Sequence, residues 1–220
     1  MTYRALLVDY GGVLTTSLSV SFAAFCLATG ASPERLRDVL AAAYSMAREA
    51  AVPINDMHDL VRAVETGAIG QEQFDRRLAS SLSEGLDRPV EPANLSARLF
   101  GELKPDERMR RAVARARRLG LLTGMISNTW GVEPPPEIGE LFDVIVLSGR
   151  EGVRKPDPEI FLLAAGRLEC APAASVFVDD IPVNVDGARA VGMTGVLHRD
   201  AAITIPRLEE LLGVSLEAGG

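Results

Sequence analysis

Short apolar runs recur along the chain and predict a sheet. Ala5–Val8, Leu121–Ile126, Val144–Leu147, Val176–Val178 and Gly195–Leu197 are brief and dominated by Leu, Ile and Val, as strands buried on both faces require. Helical patterns separate the later runs, so the order predicts an α/β fold with a parallel sheet. The helix before the second run is marked at both ends: Asp106 offers a capping carboxylate, Met109, Val113 and Ala116 share one face, and Gly120 stops it. Its arginines (Arg108, Arg110, Arg111, Arg115, Arg117 and Arg118) fall mostly on the opposite face, which predicts a solvated surface and not a phosphate patch.

Between the first strand and that helix the period changes to that of helices. Ser32-Pro33 is a helix start, and Leu36, Val39, Leu40 and Ala43 follow as one apolar stripe. Leu60, Val61 and Val64 form a second stripe, ended near Gly67, and Phe74, Leu78 and Leu82 a third within Gln71–Leu82. The expected division is therefore a sheet-bearing core of residues 1–15 and 89–220, with a helical insertion over 16–88. An insertion that follows the first strand is placed to cover the edge where that strand ends. The Gly-rich tail, Glu217 to Gly220, is expected to fray.

Composition narrows the possible partners. At 220 residues and 47% hydrophobic content, one sizeable core and a smaller second unit can be buried. A formal charge of -7 and a pI near 5.0 argue against nucleic acid or an anionic membrane as partner, because phosphate backbones require a positive footprint. Cys26 and Cys170 are too few and too isolated for a disulfide framework or a zinc site, so a reducing cytoplasm is the expected location. The N-terminus lacks the pattern of a signal peptide, and no apolar stretch approaches bilayer length.

Candidate chemistry collects at the ends of the predicted strands. Asp9 follows Ala5–Val8 and precedes Tyr10-Gly11-Gly12, a position that suits either a nucleophile or a helix cap. The second run ends in Ser127-Asn128, a hydroxyl able to bond a phosphoryl oxygen and an amide beside it. Lys155 lies in Arg154-Lys155-Pro156-Asp157-Pro158, where two prolines restrict a cation that would otherwise wander. The fourth run enters Asp179-Asp180, adjacent carboxylates that repel each other unless a cation intervenes; hard oxygen donors of this kind suit Mg²⁺. Singly, these residues are also consistent with a turn, a loop and a cap.

Together they resemble one family. The segments LLVDYGGVLT (from Leu6), ISN (from Ile126), GVRKPDPEIF (from Gly152) and VFVDDIPVNVDGARAVGM (from Val176) are similar to those of the haloacid dehalogenase-like hydrolase superfamily, in the branch with a helical cap after the first strand. The insertion shows a weaker likeness in Val64-Glu65-Thr66-Gly67-Ala68-Ile69 and Gln73-Phe74. The resemblance implies a Rossmann-like core in which Asp9 attacks phosphorus to form an aspartyl-phosphate. Ser127, Asn128 and Lys155 would then bind the substrate, and Asp9, the Gly11 carbonyl, Asp179 and Asp180 would hold Mg²⁺. Gly12 and Asn184 would support the acidic loop, and the substrate would be a small phosphorylated metabolite. Phosphoryl transfer consists largely of positioning and charge stabilisation, and this residue set supplies both.

One departure from the family pattern bears on mechanism. Phosphatases of the superfamily carry a second aspartate two positions after the nucleophile, as the acid and base for the leaving group and water, and here that position is Gly11. Such a group contributes about 10²- to 10⁴-fold. Its work falls to another residue or water, or the substrate has a good leaving group, or the chain is slow. Glu65 is the candidate carboxylate in the insertion, with a surface helix end as its ordinary alternative. A 2-haloacid dehalogenase also lacks the second aspartate, but that branch needs no magnesium and loses the acidic pair that Asp179-Asp180 retains. A non-catalytic binding fold is the third possibility. Trp130 suits either a pocket wall or packing, and the isolated His58 and His198 suit surface or packing roles.

Overall fold

The computed structural model describes residues 3–44 and 56–217. Five strands, β1 (Ala5–Val8), β2 (Leu122–Ser127), β3 (Val144–Leu147), β4 (Ser175–Asp179) and β5 (Thr194–Leu197), form one sheet. Its order is β3-β2-β1-β4-β5, and every pairing is parallel. The expected α/β class and each expected strand are present, with ends shifted by a residue or two. Chain order runs outward from β1 in one direction to β3 and then resumes on its other side at β4. Ligands of open α/β sheets gather at such a reversal, beyond the carboxyl ends of the strands.

Strand alternation divides the core into two apolar layers. Leu6, Val8, Val176 and Val178 face α6 (Glu107–Arg118) and α10 (Ala201–Leu212), meeting Met109, Val113, Ile205 and Leu208. Ala5, Leu7 and Phe177 face α8 (Pro158–Arg167) and α9 (Pro182–Ala190), meeting Ile160, Phe161 and Ala188. The short α7 (Ser148–Glu151) follows β3 directly. Asp106 caps α6 by accepting from the Met109 N–H at 2.9 Å. Gly120 follows α6 with φ +88°, and most of the α6 arginines are exposed. Arg108 and Arg117 pair with Glu217 and Asp143.

The insertion contributes α1 (Leu18–Thr29), α2 (Pro33–Tyr44), α3 (Asp56–Glu65), α4 (Gln71–Leu82) and α5 (Leu95–Leu99). These bury their own apolar cluster, which includes Phe25, Leu36, Val39, Val61, Val64, Phe74 and Leu78. Ser32 caps α2 as expected, accepting from the Arg35 N–H at 3.2 Å. Leu40 and Ala43, assigned to the same stripe, lie outside the described side chains, and of the tail only Glu217 is described. Val90, Leu95 and Leu99 join the insertion's cluster, so its packing extends past residue 88. No helix among the described residues is long and apolar enough to cross a membrane.

Leu208 is fully buried between α10 and the sheet. Leu208→Ala is expected to remove about 2–5 kcal/mol of stability, read as a lower urea midpoint at unchanged m. Leu27, 89% exposed, is the control, and Leu27→Ala should stay within about 0.5 kcal/mol of the parent.

Candidate active site

Parallel register assembles the site. Val8 pairs with Val178 on one side and Met125 on the other, so Asp9 emerges beside Asp179 while Ser127 leaves β2 at the same edge. The Asp9 N–H donates to the Val178 carbonyl at 2.9 Å, which extends the ladder to the carboxylate itself. Lys155 arrives from the loop between α7 and α8. Its Nζ lies 2.6 Å from Asp9 Oδ1 and 2.7 Å from Asp179 Oδ2, with the side chain 1% exposed. Asn184, in the first turn of α9, donates its amide to Asp179 Oδ1 and Oδ2 at 3.1 and 3.2 Å. The Ile181 N–H adds a third bond to Asp179 at 2.8 Å.

Asp9, Asp179 and Asp180 offer carboxylate oxygens that all lie within 4.8 Å of one another. Asp180 Oδ1 is buried without a hydrogen-bond partner among the described residues, and an unpaired carboxylate oxygen is costly to bury. Gly12 makes this approach possible. It has φ +76°, and a Cβ there would lie 2.3 Å from Asp180 Oδ2. The Gly12 N–H donates to Thr15 Oγ1 at 3.0 Å and so closes the turn. Gly11 is different: it is not among the glycines at positive φ, and a Cβ would meet only Leu18, at 3.4 Å.

The electrostatics point to a divalent cation. Burial pushes the Asp9 carboxyl up to about 7; Lys155 opposes the rise, and Asp179 and Asp180 add to it. Burial likewise lifts Asp180 to about 6, with Asp179 adding and Lys155 opposing. For Lys155, burial pulls the ammonium down, but Asp179 and Asp9 outweigh it and hold it above its ordinary value. Three carboxylates thus share one ammonium. The surplus negative charge, the hard oxygen donors and the orphaned Asp180 oxygen fit Mg²⁺, which accepts few protein carboxylates and keeps positions for water and phosphate.

A second polar group stands behind the first, and it corrects the expectation for Glu65. This residue ends α3 with no exposed surface; it is not a surface helix end. It pairs with Arg154 Nε at 2.8 Å, and accepts from Trp130 Nε1 at 2.9 Å and Asn128 Nδ2 at 3.1 Å. Asn128 also donates Nδ2 to the Lys155 carbonyl at 3.0 Å and accepts the Lys155 N–H at 2.9 Å. Its amide is therefore committed to the protein, holding the Lys155 backbone from both sides. Beside this group Gly67, at φ +70°, passes so close to α7 that a Cβ would lie 2.5 Å from the Gly149 carbonyl.

Beside the carboxylates is a cavity whose lining includes Asp9, Gly11, Ser127, Asn128, Lys155 and Asn184. Trp130 also lines it, and packs into the insertion's cluster against Phe74 and Phe100, so both of its expected roles are met. His198 is buried and bonded through Nδ1 to Thr204 Oγ1 at 2.9 Å. His58 is half-buried beside Asp59. Neither lines the cavity. Arg154 was not expected to take part, although it adjoins Lys155; its partner is remote in sequence, and only an acidic residue within an otherwise apolar helix end, Val64-Glu65, signals it.

This geometry agrees with comparisons to known proteins. A sesquiterpene phosphatase of Aspergillus oryzae is 34% identical over 122 residues, covering 51% of this chain and 60% of that protein. A phosphatase of Mycobacterium tuberculosis is 32% identical over 140 residues, covering 61% and 63%. The chain thus spans about six tenths of either relative. Among solved structures, a HAD family enzyme of Bacteroides thetaiotaomicron, in complex with magnesium and inorganic phosphate, superposes with a TM-score of 0.60 at 17% identity, covering 90% of this chain and 94% of that one. The family model for haloacid dehalogenase-like hydrolases matches residues 3–192, the span that carries β1 to β4, the carboxylates, Lys155 and the helical insertion, and the chain belongs to that family.

Proposed function

We propose that the chain is a magnesium-dependent phosphomonoester hydrolase that works through a phosphorylated Asp9. The observation that carries this proposal is Lys155 Nζ held between Asp9 and Asp179, 2.6 and 2.7 Å away, two of three clustered carboxylates. An Asp9 oxygen attacks phosphorus, and the bond to the ester oxygen breaks. The alcohol leaves with a proton from solvent. Water then attacks the phosphorus of phospho-Asp9, returns the carboxylate and releases orthophosphate. Lys155 and the Ser127 hydroxyl face the equatorial oxygens, where charge is spread. Mg²⁺, held by Asp9, the Gly11 carbonyl, Asp179 and Asp180, would supply positive charge against the phosphoryl group. The two phosphatase-named relatives and the magnesium- and phosphate-bound neighbour support the same chemistry.

The buried acidic cluster favours this activity over displacement of halide from a haloacid, whose own carboxylate would face the surplus negative charge of Asp179 and Asp180. Glu65 acts in this scheme as a positioning residue. It is paired with Arg154, and the cavity lining among the described residues does not include it. Its influence reaches the reaction through Asn128 and the Lys155 backbone.

Metal dependence and four substitutions test the proposal. Phosphate release should require Mg²⁺, cease with EDTA and return on adding the metal back. Asp9→Asn should lose both turnover and the trapping of beryllofluoride; full turnover by this variant would refute the nucleophile. Gly11→Asp suits the backbone, and its Cβ would meet only Leu18, at 3.4 Å, so it should raise hydrolysis of short alkyl phosphates by about 10²- to 10⁴-fold, the range of a general acid, with a much smaller effect on aryl phosphates. A well-folded variant with unchanged alkyl turnover would show that another group already transfers the proton. Glu65→Gln should lower alkyl and aryl turnover by the same factor, because both need Lys155 in place. A loss confined to alkyl esters would instead make Glu65 the acid. Glu65→Ala leaves Arg154 buried without its partner and should cost about 3–5 kcal/mol of stability.

A further inference from the structure

Part of the cavity's lining is apolar. Leu18 from the start of α1, Phe100 and Leu103 from the segment after α5, and Trp130, Val132 and Pro134 from the segment after β2 form its wall. The wall is held rigidly at Trp130: its ring meets Phe74 and Phe100 edge-on at 5.1 and 5.5 Å, and Glu65 fixes its Nε1 at 2.9 Å. The acidic residue on this wall, Glu133, is bound by Arg150 through two hydrogen bonds of 2.8 and 2.6 Å. Among the described lining residues Lys155 is the one cation, and Asp9 and Asp179 already engage it. Two of the other polar side chains are drawn inward. Asn128 is committed to Lys155 and Glu65, and Thr129 Oγ1 accepts from the Gly149 N–H at 3.3 Å.

We infer that the ligand is a phosphomonoester whose alcohol part is an apolar hydrocarbon without a second charge. The inference rests on the phosphatase proposal for the identity of the phosphate-binding end. A second anionic group would meet no counter-charge on the wall, and a hydroxyl-rich body would exchange water for side chains that offer it no hydrogen bonds. A hydrocarbon loses nothing there and removes both its own surface and that of the wall from water.

Binding of n-alkylphosphonates, methyl to octyl, tests this without turnover. The full chain with Mg²⁺ should bind each successive homologue about three- to fourfold more tightly until the wall is covered, with a heat-capacity change that grows more negative along the series. Leu103→Asp should flatten that slope, a ratio within one variant that does not depend on the fraction folded. A flat series, or tighter binding of glycerol phosphate or a hexose phosphate than of octylphosphonate, would overturn the inference. Phosphate release from phenyl phosphate, measured in parallel, separates the two proposals. A steep series without release upholds the apolar wall and refutes the hydrolase assignment; release with a flat series does the reverse.

Discussion

The buried ammonium of Lys155 is the interaction on which the site depends. Asp9 and Asp179 emerge from neighbouring strands, with Asp180 next in sequence, and carboxylate oxygens of the three lie within 4.8 Å of one another. At about 4 Å, two like charges near a protein surface repel by roughly 4 kcal/mol, so three carboxylates at this spacing cannot all ionise unaided. Lys155 offsets one of them. A net charge near minus two remains, which is the charge a divalent cation cancels, and the raised carboxyls of Asp9 and Asp180 express that remainder. The same surplus would oppose an incoming phosphate, so in the proposed reaction a bound cation and the lysine would serve the nucleophile and the substrate together.

Much of the surrounding structure keeps that ammonium in place. The Lys155 backbone is held by Asn128 from both sides, Asn128 by Glu65, and Glu65 by Arg154, whose Nε also donates to the Lys155 carbonyl at 3.0 Å. This closed circuit joins the insertion, which supplies Glu65, to the sheet edge, which supplies Asn128. Buried ion pairs contribute little net stability. Here the pair ties the end of α3 in the insertion to the loop of the core that carries Lys155.

The sheet and the primary site were legible in the sequence because each rests on a local signal. Runs buried on both faces are apolar at every position, and the chemistry of an open α/β sheet follows at their carboxyl ends, where Asp9, Ser127 and Asp179 stand. Lys155 was marked by its prolines, and Gly12 by its place in the turn. Other features depend on distant contacts and left no such mark. α1 is apolar on most sides and shows no stripe, so periodicity passes over it. Glu65 reads as a solvated helix end because the guanidinium that buries it lies 89 positions further along, at Arg154. The apolar wall joins Leu18, Leu103 and Val132, residues that share no pattern in the sequence and meet only in the folded chain.

Gly11 and that wall belong to one arrangement. The nearest neighbour of a Cβ at Gly11 would be the Leu18 side chain, at 3.4 Å, and Leu18 is itself part of the wall. A carboxylate at position 11 would place a charge against this apolar surface, next to three carboxylates that already exceed their counter-charge. Desolvation and like-charge repulsion would both resist its ionised form. That favours a protonated acid, which can serve a leaving group, but the same proximity would put a polar group where a hydrocarbon is proposed to lie. On the two proposals taken together, glycine at this position leaves that surface to the apolar ligand. It offers no proton donor, so in the proposed reaction turnover would depend on how readily the leaving group departs without help from this position.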